Sequence, residues 1–516
     1  MATMALALVI AGAASAVQYR VTNLGTLTGG TFTRATGINN LGHVVGNGDI
    51  TGGWTRGFFW NNGSFTTIVP DGSGDVGGSQ VARNSYCFGI NDSDQVVGYR
   101  DHYYASGGFS VDRAFRWTVG QTPNNIPNFS SSYPFENRAY DINNFGTVVG
   151  YSTGQGGATT WQPFRYTTNS GTVWMGSLTN NTATNCYAFG INESANIVGY
   201  GQTNPSLENR AFRSNGASLI NTGGFPNPLI FEPPLETFGM DINDSNATVG
   251  YYKLDSNTFR GYYKSAAGAY VDLGLLPGSN TGDDSAMPAA MNNSGDIVGD
   301  VEVGNAVHRA AIYEFGRGAG QWVDLNTRIA PNSGWVLEFA TDINDQGQIV
   351  GYGKYNGLNR AFVLTEQATI SGTLNLQDFV GSAVGLNAQF WVHDSTNGQV
   401  LDTQFALLGA GHTYSFTTTA VGPNRYVTAK FWHWLSKSST TVTLGDNVNL
   451  NLSLKNGDID TDNEVAIGDY AILSAKYGLN LGDPGFNTAA DLNGDFAIDI
   501  ADYAILSANY GLIGED

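Results

Sequence analysis

The sequence predicts a mainly β chain: a seven-bladed β-propeller, then a small β-sandwich, then a duplicated module whose halves each join an acidic loop to one helix. Three observations predict it. A turn motif recurs seven times, 49 to 52 residues apart. A run of short alternating strands without that period follows. A ladder of carboxylates beginning at Asp458 then returns 33 residues later at Asp491.

With 516 residues the chain exceeds one ordinary domain and can bury several cores. Its formal net charge of -20 argues against nucleic acid, which is held by Lys and Arg displacing counterions. A neutral glycan or a protein partner stays open. The charge is uneven: residues 456–516 carry twelve acids and one base, Lys476. Such density opposes compaction unless cations neutralise it.

Residues 1–16, MATMALALVIAGAASA, form an apolar run closing on Ala14, Ser15 and Ala16, the small-residue spacing of a secretory cleavage site before Val17. No Lys or Arg precedes the run, so the basic start of a full signal is lacking. No later stretch is apolar enough to span a membrane. The expectation is a secreted or cell-surface protein. Cys87 and Cys186 lie in separate repeats at different offsets from the motif, which argues against a disulfide.

The propeller is assigned to 17–366. The seven motifs run from GINNLGHVVGN to DINDQGQIVGY and share Asn39, Asn91, Asn143, Asn192, Asn243, Asn292 and Asn344. Seven positions on, each has a glycine: Gly46, Gly98, Gly150, Gly199, Gly250, Gly299 and Gly351. Apolar residues precede a polar turn and a β-branched pair follows it, the pattern of a hairpin. A third strand such as AFRW (114–117) or AFVL (361–364) comes 18–24 residues past the Asn, and a fourth such as TVWMGSL (172–178) ends the unit. Four strands in about fifty residues is the size of a propeller blade. Only the first six units have their own fourth strand. QYRVTNLGTL (18–27) resembles VDLGLL (271–276), so the N-terminal strand is expected to complete the last blade and close the ring; an open solenoid would leave it without a partner. The repeated Asn is expected to bond backbone at its turn, and the glycine to allow close approach of neighbouring strands. DRAFRW (112–117), NRAF (209–212), HRAA (308–311) and NRAF (359–362) resemble the extracellular HAF-type repeat. That resemblance implies an extracellular repeat protein and no defined activity. GFF (57–59), QPF (162–164) and RGYY (260–263) depart from it, so its His/Arg position is no catalytic set.

Residues 367–455 are expected to form the β-sandwich, from strands such as AQFWVHD (388–394), LDTQFALLG (401–409), HTYSFTTTA (412–420) and RYVTAKFWHWL (425–435). If 425–435 is one strand, alternation puts Phe431, His433 and Leu435 on one face and Trp432 and Trp434 on the other. At least one of these sets is expected to pack in the sandwich core, as Trp commonly does; if a ligand face exists here, Trp432 and Trp434 are its candidates, because aromatic rings stack on sugars.

Residues 456–516 carry the chemistry. Counted from Asp458, carboxylates fall at loop positions 1, 3, 5, 7 and 12: Asp458, Asp460, Asp462, Glu464 and Asp469. Counted from Asp491, oxygens fall at 1, 3, 5, 9 and 12: Asp491, Asn493, Asp495, Asp499 and Asp502. Calcium takes six to eight oxygens, and a twelve-residue loop supplies them from these positions together with the position-7 carbonyl, here of Glu464 or Ala497. Ala466 offers nothing at position 9 of the first loop. Val465 and Ile498 at position 8 are apolar anchors, and DYAILSAKYG (469–478) and DYAILSANYG (502–511) read as paired helices ending at Gly. Two Ca²⁺ sites are expected, since so many oxygen ligands exceed an octahedral Mg²⁺ site. This segment resembles a divergent type I dockerin, which implies attachment to a cohesin. Ile467–Gly468 and Ile500–Ala501 replace the family's Ser/Thr recognition pairs, and Asn463 and Phe496 stand where the loop prefers Gly. A cohesin-like partner therefore does not follow from the metal loops, and docking onto the adjoining sandwich is the other outcome.

An enzyme needs a positioned base, nucleophile or acid pair. The six histidines share no repeat position. Asp141, Asp241 and Asp342 share one slot before the Ile-Asn step, where the other repeats have Gly or Ala, and read as strand-end residues. The sequence favours a calcium-binding structural or adhesion protein whose propeller presents a protein- or glycan-binding surface. A carbohydrate-active enzyme with accessory modules and a subunit of a cell-surface assembly are the alternatives.

Overall fold

The computed structural model describes residues 18–515 apart from 69–83, 105–108, 128–135, 154–159, 180–183, 204–206, 215–217, 225–234, 256, 280–283, 305–306, 316–319 and 446. The expected signal over 1–16 lies outside the described residues. No helix among them is long and apolar enough to cross a membrane.

The chain divides into a larger unit, Val21–Thr365, and a smaller one containing Glu366–Asp516. The larger unit is a series of antiparallel four-stranded sheets, one per repeat. The first takes Thr33–Ile38, Val44–Asp49, Thr55–Asn61 and Ser64–Thr67 in that order, and five more follow the same plan. In the last repeat Trp335–Ile343, Ile349–Tyr355 and Leu358–Leu376 pair in order, and Gln18–Asn23 pairs with the third. Just beyond that strand the Leu24 N–H donates to the Ala361 carbonyl at 3.1 Å. Leu24 and Leu27 pack into one core with Phe58, Val350 and Val363.

The repeated Asn has two jobs. Its Oδ1 accepts from its own turn, as at Thr147 N–H to Asn143 (3.0 Å) and Gln348 N–H to Asn344 (2.9 Å). Its Nδ2 donates to the carbonyl of the next repeat's Asn, from 39 to 91 to 143 to 192 to 243 to 292 to 344. Asn344 donates in turn to the Asn39 carbonyl at 2.9 Å. All seven are buried, so each amide satisfies backbone groups that water cannot reach. The paired glycine is equally constrained: a Cβ on Gly98 would stand 1.8 Å from the Tyr86 carbonyl oxygen. The turn slot three places past the Asn is left-handed in every copy, including Ala195 (φ +57°), which has neither the freedom of Gly nor the short polar side chain of Asn or Asp used by the others. Cys87 and Cys186 are buried free thiols, and burial pushes the Cys186 thiol up to about 12.

In the smaller unit two sheets enclose one core. One joins the later part of Leu358–Leu376 to Thr413–Thr418, Asn447–Asn449 and Leu452–Leu454. The other runs Val400–Leu407, Asn387–Asp394, Gly422–Phe431, Trp434–Ser438, with Val442–Leu444 also paired to Gly422–Phe431. Phe390, Val392, Tyr414, Phe416, Val427, Phe431 and Trp434 fill the core between them.

One sequence expectation fails here. Residues 425–435 are not one strand, because a tight turn at Trp432 and His433 separates Gly422–Phe431 from Trp434–Ser438. Trp432 has φ +40° and stays 45% exposed, whereas Trp434 is fully buried with its Nε1 donating to the Gln377 carbonyl at 3.2 Å. The two tryptophans do not share a face. The alternation rule holds only while the chain stays extended, and the left-handed residue breaks it.

Candidate metal centre

Both acidic loops lead into helices of the same length, Ile467–Lys476 (α1) and Ile500–Asn509 (α2). Val465, Leu473, Ile498 and Leu506 are fully buried between them, as the position-8 anchors and the apolar helix stripe require. Each loop is pinned by the chain that follows the other helix. The Val465 N–H donates to the Leu512 carbonyl, and the Ile498 N–H donates to the Leu479 carbonyl.

The first loop brings three predicted residues together: ligand oxygens of Asp458, Asp460 and Asp462 all lie within 4.8 Å of one another. Asp458 is fully buried. Its Oδ2 accepts from Lys430 Nζ and from the Asn463 N–H (3.1 Å), while its Oδ1 is buried without a hydrogen-bond partner. An unpartnered carboxylate oxygen carries a large desolvation cost. Beside two further carboxylates, its chemistry fits a hard cation. The Asp460 carboxyl is raised above the ordinary range by desolvation and then by the Asp469 charge. A Cβ at position 11 would stand 2.5 Å from Asp460 Oδ2, so Gly468 leaves that oxygen its space.

Position 12 is used differently. Asp469 accepts from the Ile459, Asp460 and Ala466 N–H groups, closing the loop and capping α1. Asp502 does the same for Leu492, Asn493 and Asp499. The remaining lone pairs of these carboxylates are what they could offer a cation. Glu464 is exposed, and its backbone bridges to Ile513.

The second loop is wound more tightly on itself. Asp491 takes N–H bonds from Gly494, Asp495 and Phe496 on both oxygens, and Asn493 Nδ2 donates to Asp495 Oδ2 at 2.9 Å. Asp499 caps α2 with one oxygen, which accepts from the Ala501 N–H at 2.8 Å. Ala497, offered for its carbonyl, bridges to Asn480. Desolvation, with neighbouring carboxylates adding to it, raises Asp491 and Asp502. A bound cation would reverse that repulsion.

Docking onto the adjoining sandwich is one of the expected outcomes, but the sequence names none of the residues that make it. The His433 carbonyl accepts from the Gly457 and Asp458 N–H groups, and Asn463 exchanges two hydrogen bonds with Ser436. Lys437 pairs with Glu515, and Leu435 enters the helical core. The 456–515 segment is therefore docked on the hairpin of its own unit. Lys430 lies 28 residues before Asp458, and no local pattern signals that contact.

In the larger unit Asp141, Asp241 and Asp342 line a narrow cavity of about 180 Å³. Each carboxylate bridges two repeats: Asp141 takes Ile142 and Ile191 N–H, Asp241 takes Ile242 and Met291, and Asp342 takes Ile343 and Ile38, at 2.7 to 2.8 Å. Desolvation lifts all three, Asp141 to about 7. With both oxygens engaged by backbone, they act as staples between repeats.

A family model described as a protein of unknown function (DUF3466) matches residues 177–418. No curated protein matches. Among solved structures, a type II cohesin-X-dockerin complex from Acetivibrio cellulolyticus is similar at 21% identity and TM-score 0.25, covering 28% of this chain and 97% of that one. The β-propeller domain of the Trilobed protease from Pyrococcus furiosus is similar at 10% identity and TM-score 0.37, covering 58% and 81%. AofleA from Arthrobotrys oligospora is similar at 12% identity and TM-score 0.33, covering 60% and 89%. Likenesses this distant decide neither activity nor partner.

Proposed function

We propose that this is a secreted calcium-binding structural or adhesion protein that binds rather than catalyses. In this reading 17–366 is a closed seven-bladed propeller presenting a binding surface, 367–455 an accessory sandwich, and 456–516 a dockerin-like attachment module with two calcium loops. Support for closure comes from the Gln18–Asn23 strand beside Leu358–Leu376 and the Asn344 to Asn39 hydrogen bond. Support for a non-catalytic role comes from the three inward aspartates, whose oxygens are committed to backbone N–H groups.

The single observation that carries the metal reading is Asp458 Oδ1, buried and without a partner beside Asp460 and Asp462. Bound calcium would supply the positive charge that these oxygens lack. Asp458 keeps its second oxygen on Lys430 and the Asn463 N–H, so its free oxygen is held in place. In the second loop Asp491, Asn493, Asp495, the Ala497 carbonyl, Asp499 and Asp502 are the candidate holders. Glu464 and Asp469 complete the first set. The partner in this reading is an extracellular protein or polysaccharide; with the module docked in its own unit, a cohesin-like protein is not required.

Calcium titration of the chelator-stripped full chain, followed by calorimetry, tests this. Two sites are expected in the native chain and one in Asp458→Asn. No calcium uptake at all refutes it.

A further inference from the structure

The five-stranded sheet of the smaller unit has one face on the core and one face out. Along Asn387–Asp394 the outward residues are Gln389, Trp391 and His393; opposite them on Gly422–Phe431 stand Lys430, Thr428 and Tyr426. This outer face and part of the first acidic loop enclose a cavity of about 830 Å³, to which Trp432 also contributes. That volume lies within the roughly 300–1,000 Å³ of small-ligand sites.

Three features point to a ligand. The His393 and Tyr426 rings stack at 4.4 Å and 4°, and with Trp391 and Trp432 they give the cavity aromatic walls. Trp432 holds its position at a backbone cost: a bulky side chain at φ +40° occupies a tight hairpin turn that favours Asn or Gly. Strain of that kind persists where the surroundings or a function require it. His393, only 7% exposed, lines the cavity with its Nε2 lacking a hydrogen-bond partner.

The charges define the ligand. Lys430 and Glu515 both line the cavity, but Lys430 pairs with Asp458 and Glu515 with Lys437. Little net charge is left for an ionic ligand. An extended peptide would add to an open strand edge, whereas the cavity lies over Asn387–Asp394, which is paired on both sides, and takes only Val400 from the edge strand Val400–Leu407. Flat aromatic faces with amide, imidazole and phenol groups suit the C–H faces and hydroxyls of sugar rings.

We propose that this cavity binds a neutral glycan, with sugar rings stacked on Trp391, Tyr426 and Trp432 and hydroxyls bonded by Gln389 and His393. The site deepens the reading of the chain as an extracellular binding protein and names the ligand class. Thr461 and Asn463 of the first acidic loop also line the cavity, so chelation is expected to weaken glycan binding.

The test is affinity electrophoresis of the calcium-loaded full chain through gels containing hydroxyethylcellulose, xylan, galactomannan, laminarin or amylose, with tryptophan fluorescence as a second readout. At least one neutral polysaccharide should retard the protein. Trp391→Ala and Trp432→Asn should each weaken binding by about tenfold or more, the loss expected on removing an aromatic anchor. Asn tolerates the left-handed turn, so Trp432→Asn should remain folded and keep its calcium stoichiometry. Lost glycan binding with intact calcium uptake separates this site from the metal reading. The proposal is overturned by no retardation on any of the five, by retardation unchanged in Trp432→Asn, or by stronger binding to polyanionic alginate.

Discussion

Replacing Asn143 or Asn344 by Ala tests whether the amide ladder holds the repeats together. At Asn143 the change orphans the Thr147 N–H, bonded at 3.0 Å, and takes from the Asn192 carbonyl a second donor at 3.1 Å, leaving it the Ala195 N–H of its own turn. Both residues are at least nine-tenths buried, with relative exposures of 8% and 4%. The unsatisfied N–H costs about 1–3 kcal/mol and the lost second bond to the carbonyl about 1 kcal/mol, so the change should cost roughly 2–4 kcal/mol. Asn344 makes the equivalent bonds to Gln348 and Asn39, both at 2.9 Å, and should cost the same. Asn143→Asp keeps the acceptor but turns a second acceptor toward the Asn192 carbonyl, and should be no better than Ala. Exposed Asn169→Ala is the control, expected within about 0.5 kcal/mol of the native chain. Urea unfolding of the full chain supplies the measurement, with the transition of each unit fitted separately. A native-like Asn143→Asp would refute the donor role. Because Asn344 also holds its own Gln348 N–H, an Asn344→Asp as stable as the native chain beside a costly Asn143→Asp would show that the last repeat does not lean on the first, and the ring would be open.

Because burial raises the Asp141 carboxyl to about 7 from an ordinary 3.8, the folded chain binds that proton more tightly than the unfolded one. Its stabilisation is complete below about pH 4 and is lost as the pH rises through about 7; the stability difference between the native chain and Asp141→Asn should shrink across that window, and a pH-independent difference would refute the assignment. Phe496 sits at φ +69° with 60% of its surface exposed, where a calcium loop ordinarily has Gly. Phe496→Gly should stabilise the smaller unit by about 1 kcal/mol by removing backbone strain, read as a higher unfolding midpoint, and a lower midpoint would mean that the ring contributes packing that outweighs the strain.

The repeat was legible because each turn must meet the same local demands. Asn must bond backbone, Gly must let a carbonyl approach, and a β-branched pair must enter the sheet, so the same letters recur wherever that geometry recurs. The acidic loops were legible for a similar reason: a twelve-residue turn fixes which positions face inward, and Val465 and Ile498 lie in the core as that spacing demands.

Other features depend on residues far apart in the chain, and only the tertiary structure decided them. The pattern at Trp432 and Trp434 reads as one face until a left-handed residue turns the strand, burying one ring and exposing the other. Lys430 meets Asp458 because the loop is docked beside its strand, and Asp141 reaches the Ile191 N–H because one repeat abuts the next. Local periodicity encodes which way a side chain points along its own element. Packing between elements settles what that side chain then touches, and that sets whether a carboxylate is a staple, a counterion or a ligand.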